Sequence, residues 1–591
     1  MFDTVITGGL VFDGTGAPPF HADIAIRNGA IAEIGTITGA TQEVIDATGA
    51  IVTPGFIDIH THYDGQFLWD EVLEPSFSNG VTTAIAGNCG VGFAPVRAIN
   101  RKDLMDIMEG VEDIPGIVLD EGLDWSWESF PQYLDKLAAR QFTMDVATHV
   151  THAPLRVYVM GKRAMRHEAA TANDIAEMKR LVREGLDAGA VGFSAARILE
   201  HKSASGEHVP GTFADEAELT GLAEALGESG RGVFQLVPLG AAGDTGGAAN
   251  SLAERLEEHE RIVRIAEAAA GRPVTYILHA MKHAPDEWRA MLAATRKARS
   301  DGLDIHAQIA ARGLGWIFSL DGYHLFRACP SYAAVAHLPL AKRAAAMRDP
   351  ARRVAILGEV ATFADTDNVA ADSQQSFARM AQLMARILPG CFAIGNELDY
   401  EPDPSRRIDA IAKASGRTLE EVAYDVLADG DGAGVIIDFA MNFVDGKLDA
   451  AFELLADPDT VSGLSDGGAH LQLVCDAAMP TFQLSFWARD RTRGPTLPVE
   501  RVVSKLTGEL AALYGLKDRG TLALGKRADI NVIDFDRLTS DIPRMVFDLP
   551  SGGPRLLQLS SGYRATLVNG VVTRRHDAAT GAKPGRLVRA K

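Results

Sequence analysis

The sequence predicts an α/β protein: a (β/α)8 TIM barrel joined to a small β-sandwich domain that both chain termini build. Apolar strand-like segments alternate with amphipathic helical segments, the pattern of parallel βα units. The two ends of the chain consist instead of short strand-like runs separated by Gly, Asn and Asp. A chain of 591 residues also exceeds the size of one simple core, so a barrel with accessory parts is expected.

The sandwich is predicted from the shared pattern of the two ends. Residues 1–52 include ADIAIRNGAIAEIG and residues 516–591 include ADINVIDFD, short β-prone runs with turn residues between them. The chain between them has a different pattern. We therefore predict that residues 1–52 and 516–591 are the two parts of one domain.

The barrel is predicted for residues 53–515. In the helical segment 171–189, apolar residues recur three or four positions apart, as on one face of a helix. The strand candidates are residues 51–60, 81–88, 144–150, 190–195, 232–237, 273–279, 303–309 and 460–465. Insertions at about 94–143 and 310–459 are too long for barrel loops, and we expect them to cover the catalytic face as lids.

The composition favours a globular protein that acts on small molecules. Hydrophobic residues are 47% of the chain, and a formal net charge of −20 would repel nucleic acid and anionic membranes. There is no apolar run of 18 residues, no secretory signal pattern, and only four scattered cysteines. We expect a cytoplasmic protein with reduced thiols, without nucleic-acid or membrane partners, and allow a homo-oligomer.

Residues with metal-binding chemistry follow three of the predicted strands. His60 and His62 lie two positions apart at the end of the first strand, so both side chains point to one side. Cys89 ends the second strand, and Asp466 follows the eighth, which neighbours the first in a closed barrel. Imidazole, thiolate and carboxylate all bind zinc, and barrel enzymes keep their chemistry at these strand ends. The structural alternatives are polar strand-end histidines, a buried thiol and an aspartate turn.

Four motifs carry a family resemblance. PGFIDIHTH at 54–62 and GTLALGKRADINVIDFD at 520–536 resemble the amidohydrolase superfamily. GNCG at 87–90 and LSDGGAH at 464–470 resemble its N-acyl-D-amino-acid deacylase (D-aminoacylase) branch. The similarity extends over nearly the whole chain.

The resemblance implies a zinc-dependent hydrolase that cleaves the amide bond of N-acyl amino acids, usually N-acyl-D-amino acids, with metal-activated water. It implies that Cys89, His60, His62 and Asp466 line the metal and that Asp466 is the general acid/base. The branch supplies two further metal histidines, but the fifth strand here has Gln235 near that position. His279, at the end of the sixth strand, remains a candidate ligand, so we predict one firmly bound zinc ion rather than two.

Four residues near the predicted strand ends are candidates for binding the substrate. Lys282 follows the sixth strand at nearly the spacing of a lysine in the branch, and it could bind a substrate carboxylate. His152 and Arg197 follow the third and fourth strands, and His470 follows Asp466 by four residues. For each histidine, the alternative is a hydrogen-bonded core residue.

Two other functions stay open at this point. One is a hydantoinase-like hydrolase of cyclic amides on the same scaffold, although GAVGFSAARIL at the fourth strand has no lysine that could be carbamylated. The other is a non-catalytic scaffold that lost its metal, for which the absent fifth-strand histidine is the main support.

Overall fold

The structure is a computed structural model that describes residues 1–241, 251–363, 381–395 and 398–590. Parts of the second predicted insertion, residues 364–380 and 396–397, lie outside the described residues. The described chain has mixed α/β architecture, with parallel strands and helices between two β-rich ends.

The two ends of the chain share one nine-stranded sheet. Its central pairing is antiparallel and joins Ile51–Pro54 to Ile530–Ile533, so the N-terminal and C-terminal parts are hydrogen-bonded neighbours. In sheet order the strands are Ala578–Ala579, Val571–Arg575, Tyr563–Val568, Ile530–Ile533, Ile51–Pro54, Phe2–Val11, Phe20–Arg27 and Ala30–Gly35, and Thr41–Asp46 pairs with Phe2–Val11. One apolar cluster, which includes the fully buried Ile24, Val52 and Ile530, packs against the sheet.

The first predicted strand, 51–60, is two strands. Ile51–Pro54 belongs to the terminal sheet, whereas Phe56–Asp58 pairs with Val81–Ala86. The chain changes sheet at Gly55, where a Cβ atom would lie 2.2 Å from Oγ1 of Thr82. The backbone approach that allows this crossing therefore requires glycine.

Parallel strands occur at all eight predicted places. We number them first to eighth in chain order: Phe56–Asp58, Val81–Ala86, Asp145–Thr148 with Val150–Thr151, Gly192–Ala196, Val233–Val237, Val274–Ile277, Ile305–Ile309 and Thr460–Ser462. They form a three-stranded and a six-stranded parallel sheet, which meet between Thr148 and Val150.

The first strand and the loop after the eighth strand are also hydrogen-bonded. The backbone N–H of His62 donates to the carbonyl of Gly467 at 2.7 Å, and that of Asp466 donates to the carbonyl of His60 at 3.1 Å. These two bonds bring the ends of the first and eighth strands together, as the sequence predicts.

Helices follow most of the parallel strands. The predicted helix at 171–189 is Ala172–Ala188, and it begins with a capping box in which Thr171 and Asp174 satisfy each other's backbone N–H groups. The other described α-helices are Arg101–Glu112, Gly116–Gly122, Phe130–Ala138, His152–Met160, Lys162–Met165, Glu216–Ser229, Leu252–Ala268, Glu287–Ser300, Pro330–Ala333, Leu340–Met347, Pro350–Phe363, Ile408–Ser415, Leu419–Ala428, Asp449–Ala456, Met479–Phe482, Val499–Leu506 and Gly508–Leu513. Among the described helices, none has both the length and the apolar character needed to cross a bilayer.

The two insertions differ in structure. The first is helical, and its helix Arg101–Glu112 buries an apolar face that includes Leu104 and Met108. The second contains an antiparallel sheet with an apolar cluster of its own, and its described strands are Leu314–Phe318, Ile436–Met441 and Phe392–Ala393.

The C-terminal tail differs from the prediction. Gly585 forms a bridge with Phe142, and Leu587 forms a parallel bridge with Val146. Residues 585–588 therefore extend the third strand's edge instead of the terminal sheet, although they fall in the segment 516–591 that we assigned to the sandwich. The short alternating run GRLVRA is compatible with pairing in either sheet, so its pattern does not predict which sheet it joins.

Candidate active site

Three buried side chains form a cluster that fits a metal ion. The nearest nitrogen and sulfur atoms of His60, His62 and Cys89 all lie within 4.8 Å of one another, and Nε2 of His60 is 3.3 Å from Sγ of Cys89. Two imidazoles and one thiolate are a donor set that zinc prefers. The sequence singled out these three residues, and the fold brings them together.

Backbone hydrogen bonds hold the segments that carry these side chains. Thr61, between the two histidines, donates its backbone N–H to the carbonyl of Ile85 at 3.1 Å, which ties the end of the first strand to the second. Cys89 has a φ of 53° in the turn that follows the second strand. Its backbone N–H donates to Oε1 of Gln235 at 3.2 Å, which holds this left-handed turn in place.

The Cys89 thiol is suited to exchange its proton for a cation. Burial raises its pKa to about 11, although the nearby His62 opposes the shift. The thiol is therefore protonated at neutral pH, and metal binding would release that proton. Burial likewise lowers the pKa of His60 to about 3, which leaves a neutral imidazole.

Asp466 lies against both histidines. Its Oδ1 is 3.5 Å from Nε2 of His60 and 3.7 Å from Nε2 of His62, and its side chain is 15% exposed. Burial would raise the pKa of this carboxyl, but the neighbouring histidines, His62 above all, hold it well below its ordinary value. Asp466 is therefore an ionised carboxylate beside the cluster, partly open to an incoming molecule.

Glu112 is a site residue that the sequence analysis missed. Its Oε1 lies 3.1 Å from Nδ1 of His62, and its Oε2 lies 3.8 Å from Nε2 of His470. The contact with His62 is an ion-pair distance without the alignment of a hydrogen bond. The sequence contains a pattern that could have identified it. Glu112 follows Leu104 and Met108 at four-residue spacing, which places a carboxylate on the apolar face of its helix.

Gln235 and His279 lie at the fifth and sixth strands. Gln235 is fully buried, and its Nε2 has no hydrogen-bond partner among the described residues. His279 is not part of the cluster of three; its Nδ1 lies 3.4 Å from Nδ2 of Asn442. Burial lowers the pKa of His279 to about 4, so its ring is neutral.

The predicted substrate-binding residues have different surroundings. Nζ of Lys282 lies 2.9 Å from Oδ1 of Asp438, with 43% of its side chain exposed. His470 contacts Glu112 and is 31% exposed, so the fold places it beside the cluster. Arg197 and His152 each contact a buried glutamate. Nε of Arg197 lies 2.8 Å from Oε1 of Glu258, and Nε2 of His152 lies 2.7 Å from Oε1 of Glu218.

Comparison with known proteins identifies the family of this chain. Residues 43–574 match the sequence profile of the Amidohydrolase family. The chain therefore belongs to the amidohydrolase family.

Two curated relatives have established names. D-aminoacylase from Alcaligenes xylosoxydans xylosoxydans is 26% identical over 598 residues, which cover 99% of this chain and 97% of that protein. N-acyl-D-glutamate deacylase from the same organism is 28% identical over 594 residues, which cover 99% and 96%. Among solved structures, N-acyl-D-glutamate deacylase from Bordetella bronchiseptica, complexed with zinc and a phosphonate inhibitor, aligns over both whole chains with a TM-score of 0.63 and 25% identity.

Proposed function

We propose that this amidohydrolase is a deacylase that hydrolyses the amide bond of N-acyl amino acids, with N-acyl-D-amino acids as its substrates. The observation that carries the proposal is the cluster of His60, His62 and Cys89 with the ionised Asp466 against it. The named relatives that align over nearly the whole chain act on N-acyl-D-amino acids, which supports this substrate class.

The cluster supports one zinc ion held by Cys89, His60 and His62, with Asp466 close enough to complete the site. Zinc at this position would act as a Lewis acid that favours the attack of water on the amide carbonyl. The thiol and imidazole donors are soft enough to favour zinc over magnesium or calcium.

Asp466 is the group that moves the proton. Its ionised Oδ1 accepts a proton from the water that attacks the carbonyl carbon, and it then delivers that proton to the amide nitrogen as the C–N bond breaks. The products are a carboxylic acid and a free amino acid. His60 and His62 flank the same oxygen, and His62 favours the ionised carboxylate between turnovers.

The substrate's own carboxylate needs a cation, and Lys282 is our first candidate. Its Nζ is partly exposed, and its contact with Asp438 can be exchanged for a substrate carboxylate. His470 would line the pocket next to Asp466. Arg197 and His152 are held by buried acids, and we propose that they shape the wall of the pocket.

The fold supports a finer description of the architecture. We propose that the two parallel sheets form one closed (β/α)8 barrel, because the first and eighth strand ends are joined by the bridge between Thr61 and Gly467. We also propose that the terminal sheet is a separate domain beside it. The four buried free thiols support a reducing compartment, the cytoplasm.

The test is hydrolysis of matched substrates by the purified, zinc-loaded protein. N-acetyl derivatives of D-amino acids, their L-enantiomers and cyclic imides would be compared by detecting the released amine or acid. We expect turnover of the D-series, with kcat/KM for the L-series at least tenfold lower. Turnover of cyclic imides alone would contradict the deacylase, and the fourth strand, Gly192–Ala196, has no lysine for a hydantoinase-like centre.

A further inference from the structure

The orientation of the Gln235 amide is determined by its neighbour. Gln235 lies in the middle of the fifth strand, paired in register with Ser194 and Thr275, and its side chain is fully buried. Its Oε1 accepts the backbone N–H of Cys89. Because a backbone N–H can only donate, the oxygen must face Cys89 and the NH2 group must point elsewhere.

That NH2 group is left without an acceptor. Nε2 of Gln235 is buried and has no hydrogen-bond partner among the described residues. A buried amide donor without a partner costs stability, and in native proteins such groups are rare. A buried donor beside the cluster that no group in the described chain satisfies is a place for an oxygen atom of a ligand.

His279, two residues beyond the end of the adjacent strand Val274–Ile277, presents a second donor. The position of the proton on the His279 ring depends on Asn442. Oδ1 of Asn442 accepts the backbone N–H of Ala280 at 2.9 Å. Its Nδ2 donates to the carbonyls of Ala310 at 3.2 Å and Arg312 at 3.4 Å. These backbone partners allow only one orientation of the amide. The NH2 group therefore faces Nδ1 of His279, and because an NH2 group cannot accept, this Nδ1 carries no proton.

A histidine whose Nδ1 accepts carries its proton on Nε2. A zinc ligand that binds through Nε2 has the opposite arrangement, because its Nδ1 donates to a carbonyl or carboxylate. His279 is thus prepared to donate from Nε2 and not to bind a metal there.

His60 differs in how firmly its partner amide is held. Its Nδ1 lies 3.1 Å from Nε2 of Gln308, which also donates to the carbonyl of Gly463. Oε1 of Gln308 has no hydrogen-bond partner among the described residues, whereas Oδ1 of Asn442 accepts a backbone N–H. Turning the Gln308 amide towards a metal-bound His60 would therefore break one backbone hydrogen bond, whereas turning the Asn442 amide would break three.

We propose that Nε2 of Gln235 and Nε2 of His279 donate hydrogen bonds to the carbonyl oxygen of the scissile amide, in place of a second metal ion. As water adds to the carbonyl carbon, the C=O π electrons move to this oxygen, and both donors stabilise the negative charge. As the adduct collapses, an electron pair on this oxygen re-forms the C=O bond, and the electrons of the breaking C–N bond go to the nitrogen, which takes its proton from Asp466. This inference rests on the proposed amide hydrolysis.

The experiment uses three variants of the full chain. Gln235→Glu keeps an oxygen for the N–H of Cys89 but removes the donor, and Gln235→Met removes both. Gln558→Glu is the matched control, since Gln558 is equally buried and bonds to Tyr400 and Asp541 instead of the cluster. For each we would measure zinc stoichiometry, kcat, KM and the inhibition constant of a phosphonate analogue of the tetrahedral adduct.

We expect the wild-type protein to bind one zinc ion per chain. In both Gln235 variants, kcat should fall about 100-fold or more, and phosphonate affinity should fall in parallel, whereas KM changes less than about threefold. The Gln558 control should match the wild type. A wild type that binds two tight zinc ions, one of which is lost in Gln235→Met, would make Gln235 a ligand and overturn the inference.

Asn442→Asp provides an independent variant. An aspartate offers an acceptor to Nδ1 of His279, so the proton moves to Nδ1 and Nε2 becomes free to bind metal. We expect zinc stoichiometry to rise above one while kcat falls at least about tenfold. An unchanged kcat in this variant and in both Gln235 variants, with an active wild type, would reject the inference and leave the deacylase proposal intact. A wild type inactive on every N-acyl amino acid would reject both.

Discussion

Oε1 of Glu112 lies 3.1 Å from Nδ1 of His62, and both side chains are almost completely buried. Glu112 is the last residue of the helix Arg101–Glu112 in the first insertion, whereas His62 follows the first strand. A carboxylate behind the outer nitrogen of a metal-binding histidine favours the tautomer whose inner nitrogen binds the ion. The first insertion therefore contributes a buried carboxylate to the surroundings of the His60, His62 and Cys89 cluster.

The first prediction concerns this pair. In Glu112→Gln the negative charge behind His62 is lost, and we expect the dissociation constant for zinc to rise about 10- to 100-fold. Competition with a chromophoric chelator would measure it. Glu109→Gln, an exposed position on the same helix, is the control and should bind zinc like the wild type. Equal affinities in both variants would show that Glu112 does not support His62.

The second prediction concerns the thiol. Cys89→Ala removes the sulfur donor from the cluster, and we expect purified protein to contain almost no zinc and to lose hydrolysis. Elemental analysis by mass spectrometry would measure the metal. Cys329→Ala is the control, because Cys329 lies in the apolar cluster of the second insertion. Full zinc content in Cys89→Ala would exclude the thiolate as a ligand.

The third prediction separates proton transfer from metal binding. In Asp466→Asn the carboxylate can no longer accept a proton, and we expect kcat to fall about 100- to 10,000-fold. Asparagine tolerates the φ of 49° at this position, so the loop should keep its conformation. Steady-state kinetics would be paired with zinc analysis of the same sample. A variant that keeps its zinc and its kcat would remove Asp466 from the mechanism.

The fourth prediction concerns stability and pH. Lys505 is buried and donates to the carbonyls of Asp457 and Thr460 beside the eighth strand, and burial lowers its pKa from 10.5 to about 8. Between pH 8 and pH 10.5, Lys505 is deprotonated in the folded chain but still protonated in the unfolded chain. The free energy of unfolding should therefore rise with pH in this window, by about 1.4 kcal/mol per unit from this group.

Lys505→Met removes this contribution. Unfolding in urea at pH 7.5, 9 and 10.5 would be followed by circular dichroism for both proteins. We expect the difference in stability between wild type and variant to grow with pH in favour of the wild type. Parallel pH profiles would mean that Lys505 titrates at the same pH in the folded and unfolded chains.

The main features of the site could be predicted from the sequence because they depend on local spacing. His60 and His62 are two residues apart on a strand, and strand alternation alone puts them on one side. Cys89 and Asp466 end other parallel strands, and the βα pattern predicts that such ends meet. The same pattern located the places of all eight parallel strands.

Other residues depend on contacts between distant segments. Glu112 reaches His62 from an insertion whose placement no local pattern gives, and Leu587 pairs with the third strand instead of the terminal sheet. Asn442 meets His279 across 163 residues of chain. Loop-borne contacts of this kind follow from the packing of whole elements, which hydrophobic periodicity does not encode.

The sequence by itself determined the succession of strands and helices, the family motifs and the candidate cluster of His60, His62 and Cys89, since all of these depend on residue type and short-range order. Only the tertiary structure decided which atom of each polar side chain donates a hydrogen bond and which accepts one. The N–H of Cys89 orients Gln235, and three backbone groups orient Asn442, which in turn assigns the proton of His279. Hydrogen-bond direction is a property of partners in space, and those partners are brought together only when the chain is folded.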